Sequence, residues 1–174
     1  MSRSFSYHWA MNNNDVLRRL RFTFDYPDSK VVEIFGMGDM TIEESQVAPW
    51  LLKDDDTAQT KLKDVELASF LNGMIVLNRG KKEGVTMIAE RQLNNNLIFR
   101  KLRIALNMKD TDILSVYDEV DMNISKGELS AIFRNPKQSQ YRACQDQFLR
   151  NFLLGLQYRN RGRDGAGGAK SEEE

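Results

Sequence analysis

Residues 12–22 read Asn-Asn-Asn-Asp-Val-Leu-Arg-Arg-Leu-Arg-Phe, and residues 94–104 read Asn-Asn-Asn-Leu-Ile-Phe-Arg-Lys-Leu-Arg-Ile. The second stretch is the first displaced by 82 positions. The same displacement, with no gap, carries Asp28 to Asp110, Asp39-Met40 to Asp121-Met122, Ile42 to Ile124 and Asp64 to Asp146. It carries Leu67, Phe70, Leu71 and Gly73 to Leu149, Phe152, Leu153 and Gly155, and Asn78-Arg79-Gly80 to Asn160-Arg161-Gly162. The result is 18 identities over the 69 positions from 12 to 80. An ungapped self-match of that length marks a duplication, and a repeat of this kind decides the fold before any single element is read.

The chain divides accordingly. Residues 1–11 precede the first unit, 12–80 and 94–162 are the two units, 81–93 join them, and 163–174 close the chain. The closing run Gly-Ala-Gly-Gly-Ala-Lys-Ser-Glu-Glu-Glu has the composition of a disordered tail. Because the first unit opens just after Met11, that residue is a candidate natural start, which would make residues 1–10 an extension.

Each unit reads as about four helices, so the fold class is all-α, with two tandem pseudo-symmetric units. Apolar residues three and four apart place a first helix near 15–24 and 97–106. A short second helix follows near 29–35 and 111–117. Capping-box patterns, Thr41 to Glu44 and Ser125 to Glu128, start a third helix. Pro49 falls inside it in the first unit and should kink or delay it; Ala131 stands at the matching place. The fourth helix, near 63–78 and 145–160, is the most apolar. Val85-Thr-Met-Ile88 is the one segment with extended character.

The inventory removes several chemistries. Hydrophobic residues make up 41% and charged residues 29%, ordinary for a soluble globular chain. Single residues, Cys144 and His8, make neither a disulfide nor a usual zinc site, and they point to a reducing cytoplasm. His8 lies in the N-terminal extension, which argues against Ser-His or Cys-His catalysis. No phosphate-binding glycine loop occurs; Gly36-Met37-Gly38 is too short to count as one. No apolar run reaches the ~20 residues of a membrane span. No catalytic residue, cofactor or metal site is assigned; the acidic run Asp54-Asp55-Asp56 reads as a solvated loop.

What remains is arginine. Positions 14, 18, 21 and 25 share one helical face, so Asn14, Arg18 and Arg21 align, as do Asn96, Arg100 and Arg103 in the second unit. Arginine forks suit phosphate and carboxylate. With Lys101, Arg142 and Arg150 they make the candidate anion or nucleic-acid face. The alternative is internal pairing with the retained acids Asp28/Asp110 and Asp39/Asp121. The Asn triplets also suit helix N-caps. Asn-Arg-Gly suits a helix end with glycine in the left-handed region, and Gly73 and Gly155 suit close helix approach. Cys144 replaces Leu62 and reads as a core residue. The corner between second and third helices, near 38–41 and 120–123, is helix-turn-helix-like, although Glu43 and Glu44 would repel phosphate in the first unit.

Asn-Asn-Asp-Val-Leu-Arg-Arg-Leu-Arg, Ser-Phe-Leu-Asn-Gly, Leu-Asn-Asn-Asn-Leu-Ile-Phe-Arg-Lys-Leu-Arg-Ile-Ala-Leu-Asn and Cys-Gln-Asp-Gln-Phe-Leu-Arg-Asn-Phe-Leu-Leu-Gly-Leu-Gln resemble the bacterial YehS-like family over about residues 11–162. The resemblance implies a duplicated cytosolic protein of unknown function and carries no reaction or catalytic residue.

The functional expectation is a non-enzymatic binding or regulatory module, contacting RNA or DNA through its basic second unit. A protein adaptor or homo-oligomer is the alternative; a membrane partner is not expected. The formal net charge is zero, but residues 12–80 carry 8 basic and 12 acidic side chains while residues 94–162 carry 11 and 7. Neutrality is a cancellation between halves of −4 and +4, which nominates the second half for an anionic partner.

Overall fold

Asn12 and Asn94 sit in extended backbone and open the two units. Each side chain accepts from the amide three residues on, 2.8 Å in both, and caps α1 (Asn13–Phe24) and α5 (Asn95–Ala105). The structure, a computed structural model, describes residues 10–163. The expected disordered tail beyond Arg163 and the extension before Ala10, His8 included, lie outside the described residues.

Four helices follow the same order in each half. The first half holds α1, α2 (Asp28–Met37), α3 (Val47–Leu51) and α4 (Asp64–Arg79); the second holds α5, α6 (Asp110–Asp118), α7 (Lys126–Phe133) and α8 (Asp146–Arg161). The all-α reading holds: no strand occurs among the described residues, and residues 85–88 form none. No helix among them is long and apolar enough to cross a membrane.

The third helix departs from expectation in the first half. The box at Ser125 forms as read, with Glu128 N donating to Ser125 Oγ at 3.1 Å. In the first half the pair that closes is not Thr41 with Glu44. Gln46 Oε1 instead accepts from Glu43 N at 2.9 Å, and a 3-10 turn (Glu44–Gln46) precedes α3. The displacement of 82 explains this, since it aligns Glu43 with Ser125. Pro49 then falls in the first turn of α3, where a missing N–H leaves no intrahelical bond unmade.

Within each half the last helix crosses the second at a glycine. A Cβ on Gly73 would stand 1.8 Å from the Ile34 carbonyl oxygen, and one on Gly155 would stand 2.4 Å from that of Val116. Between halves the pairing is crossed: α1 lies along α8, and α4 lies along α5. These two seams are one contact repeated by a pseudo-twofold. A continuous apolar cluster fills the interior, from Leu17, Phe35 and Phe70 to their counterparts Phe99, Tyr117 and Phe152, all fully buried. Each such side chain contributes about 1.5–3 kcal/mol on burial, and neither half holds the whole cluster.

Hydrogen bonds at the center repeat with the same displacement. Asn13 Nδ2 reaches the Leu62 carbonyl (3.1 Å) and Asp64 Oδ1 (2.7 Å); Asn95 Nδ2 reaches the Cys144 carbonyl (3.0 Å) and Asp146 Oδ1 (2.6 Å). The other carboxylate oxygens cross between halves. Leu93 N donates to Asp64 Oδ2 at 2.8 Å, and Met11 N donates to Asp146 Oδ2 at 3.1 Å.

Candidate functional site

Asn14 and Asn96, expected on an exposed face, are buried at 3% and 8% exposure. Asn14 Nδ2 donates to the Trp50 and Thr60 carbonyls, both at 2.9 Å, and its Oδ1 accepts from Leu62 N at 3.0 Å. Asn96 does the same with Ile132 (3.0 Å), Arg142 (2.8 Å) and Cys144 N (2.8 Å). Both N–H donors of each buried amide are used and its oxygen accepts from a backbone N–H, so every polar atom is satisfied. These two residues tie the loop after the third helix to the first helix and leave nothing for a ligand.

The arginines distribute over two seams. Arg18, Arg21 and Arg150 come together at α1/α8, where Arg19, Phe22, Lys53 and Gln157 join them around a groove of about 800 Å³. Arg100 and Lys101 line the counterpart groove at α4/α5, about 510 Å³, with Ile75, Val76 and Ile104. Lys101, expected exposed, is buried: its Nζ sits 2.6 Å from Asn72 Oδ1 and 2.9 Å from Glu90 Oε1. Arg103 is held 2.9 Å from Asp110 and lies over the Phe133 ring, its guanidinium carbon 4.7 Å from the centroid. That is the internal pairing weighed from the sequence. Arg142 is exposed on the loop before α8, in neither groove.

The α1/α8 groove concentrates positive charge with few acids to answer it. Three carboxylates line it with the five cations. Asp15 is taken by Arg18, which also donates to the Leu52 carbonyl at 2.6 Å. Asp54 accepts from Asn12 (2.9 Å) and Gln59 (2.8 Å), bonds that hold its carboxyl below the ordinary range. Arg19 has a neutral partner, Gln157 Oε1 at 3.0 Å. Burial pushes its guanidinium below the ordinary value; Asp15 opposes this, and Arg150 and Arg18 add to it. Arg21 keeps a buried Nε with no hydrogen-bond partner. An anion entering here meets guanidinium groups crowded against each other.

Arg19, Lys53 and Gln157 were not singled out from the sequence. The signal for Arg19 was present, since its displaced counterpart is Lys101. Cys144 is a core residue at 5% exposure, and burial pushes its thiol up to about 12. Among the described residues no group of three or more His, Cys, Asp or Glu gathers as metal ligands.

The comparisons with known proteins follow the same division. Residues 13–80 and 95–162 each match the family described as "Protein of unknown function (DUF1456)". The "Uncharacterized protein YehS" of Escherichia coli (strain K12) is 40% identical over 147 residues, covering 84% of this chain and 94% of that protein. No solved structure matches. A twofold match spanning both helical halves, with a relative similar along nearly its whole length, means that the chain belongs to the DUF1456 family and carries its domain twice.

Proposed function

We propose that the protein is a non-enzymatic binding module that takes the phosphate backbone of RNA or DNA in the α1/α8 groove. The observation that carries this reading is the gathering of Arg18, Arg19, Arg21, Lys53 and Arg150 on one groove, with Arg19 bonded to neutral Gln157. The groove draws on both halves, so the basic second unit contributes Arg150 and the first contributes the rest. Guanidinium forks bind phosphate bidentately. The helix-turn-helix-like corners are the weaker surface, because Glu43 and Glu44 are exposed at the start of the third helix in the first half. A cytoplasmic setting suits the single unpaired thiol.

Fluorescence anisotropy with short single-stranded RNA and DNA tests the reading. Binding should be present at ~50 mM salt and fall steeply with added salt as counterions are released. Arg19→Glu with Arg150→Glu should reduce affinity at least tenfold. No anisotropy change at low salt sinks the proposal.

A protein partner or a second copy is the second reading, favored by Val85, Ile88 and Ile104, exposed at 52%, 79% and 40%. Val85 and Ile104 both line the α4/α5 groove. Light scattering across a concentration series, with Ile88→Asp as control, separates self-association from monomer.

A further inference from the structure

The two seams correspond residue by residue, and one of them is covered by a strap. The chain leaves α4 through Gly80 at φ 78, ψ 164, a region that only glycine enters readily. It leaves α8 through Gly162 at φ 81, ψ 161. Before each exit an arginine grips the facing helix: Arg79 donates to Asn107 Oδ1 at 3.0 Å, and Arg161 stands 3.8 Å from Asp25. After each exit a cation meets the retained aspartate. Lys81 lies 3.9 Å from Asp39, and Arg163 lies 3.7 Å from Asp121. All of these pairs are related by the displacement of 82.

Beyond Lys81 the strap runs beside the α4/α5 groove, with Lys82, Val85 and Met87 on its lining. It then sets Glu90 on Lys101 at 2.9 Å. The same displacement carries Lys101 back to Arg19 and Glu90 forward to Glu172. From these correspondences we infer that the α1/α8 groove is the docking site of the chain's own C-terminal segment, residues 163–174, with the Glu172 carboxylate on the Arg19 guanidinium. The N-terminal segment is the other candidate occupant, since Met11 lines the same groove and its N occupies the place of Leu93 N. It is the poorer occupant: residues 1–10 contain no Asp or Glu, and the frame brings His8 to the position of Glu90.

The dock is held by charge. Val85 and Met87 of the strap have Gly167 and Ala169 as counterparts, so little apolar contact accompanies the carboxylates of Glu172, Glu173 and Glu174. Screening by salt should release the segment. Its consequence rests on the reading proposed above: the tail competes with phosphate for the arginines, and nucleic acid binds by displacing it.

A nitroxide on Ser171→Cys in the full chain tests the dock directly. Cys144, buried with its thiol pushed up to about 12, stays unlabeled. At ~50 mM salt the amide signals of α1 around Arg19 should broaden. Arg19→Glu or Glu172→Arg alone should relieve the broadening, and the two together should restore it. The inference is overturned if α1 is not broadened, if the charge changes leave broadening unaltered, or if a label on Ser4→Cys broadens α1 instead. Nucleic-acid affinity is a separate readout. Glu172→Arg should tighten it severalfold, whereas broadening as expected with no nucleic-acid binding by either form keeps the dock and removes the phosphate reading.

Discussion

Asn14 and Asn12 are two residues apart in a run of three asparagines, and the fold uses them for different ends. Asn12 caps a helix, a role the spacing made legible, and its change to Ala should cost about 1 kcal/mol. Asn14 holds two carbonyls and an amide that lie 36 to 48 residues away. No local pattern announces such partners. Position 14 is also three residues before buried Leu17 and four before Arg18, at the border of the two helix faces. Asn14→Ala leaves those backbone groups unpaired in the interior, so urea unfolding should show a loss of about 2–4 kcal/mol. Asn96→Ala should match it. Cys144 was legible as a core residue from its alignment with Leu62, and its titration gives a second test. The folded thiol stays protonated up to about 12, against an ordinary value of 9.0. Ionization of the unfolded thiol therefore draws the chain toward unfolding. The stabilization is complete below pH 9 and declines as pH rises toward 12. Cys144→Ala should flatten that part of the pH–stability curve, while the buried Tyr117 hydroxyl, also pushed up by burial, keeps its own contribution.

Helix positions were legible because apolar spacing and capping residues are local; the third helix shows where locality ends. Thr41 and Glu44 satisfy the capping pattern on their own, but the repeat places Glu43, not Thr41, against Ser125, and the repeat is right. Retained Asp39 and Asp121, weighed as arginine partners, have a backbone role as well. They take left-handed conformations at φ 63 and φ 55, which aspartate tolerates better than most residues. Gly73 and Gly155 were read as close-approach residues, and the distances to Ile34 and Val116 show how little room exists. Gly73→Ala must push α4 off α2, backbone against backbone. Overpacking of this kind should cost about 1–3 kcal/mol or more. Gly127, in α7, makes the contrast: a Cβ there meets only Ser125 Oγ, at 3.9 Å. Gly127→Ala should stabilize by about 0.5–1 kcal/mol through helix propensity. Thermal melts of the two variants should therefore move in opposite directions.

A repeat reveals that two copies exist without revealing which faces meet. Nothing in the arginine spacing distinguishes Arg103, bound to Asp110 in its own half, from Arg19, facing the other half across a seam. The crossed pairing of α1 with α8 and α4 with α5 decides that, and it also decides how the molecule should come apart. Each half gives its first and last helices to the other, and the apolar cluster runs through both seams. Asp64 and Asp146 add a crossed pair of hydrogen bonds, from Leu93 and Met11. Separating the halves would expose the flanks of four helices. The cost of that exposure, at about 25 cal/mol per Å² of apolar surface, falls on halves of roughly 70 residues, a size at which a lone core is already marginal. The halves should therefore unfold together. Calorimetry of the intact chain should give one transition whose calorimetric and van't Hoff enthalpies agree. Cleavage of the chain within the strap, at Gly84, supplies the complementary test. The two fragments should be largely unfolded when separated, by circular dichroism, and should regain helicity on mixing at one to one. Two resolved transitions in the intact chain, or fragments that fold alone, would mean that the seams join independent domains instead of completing a shared core.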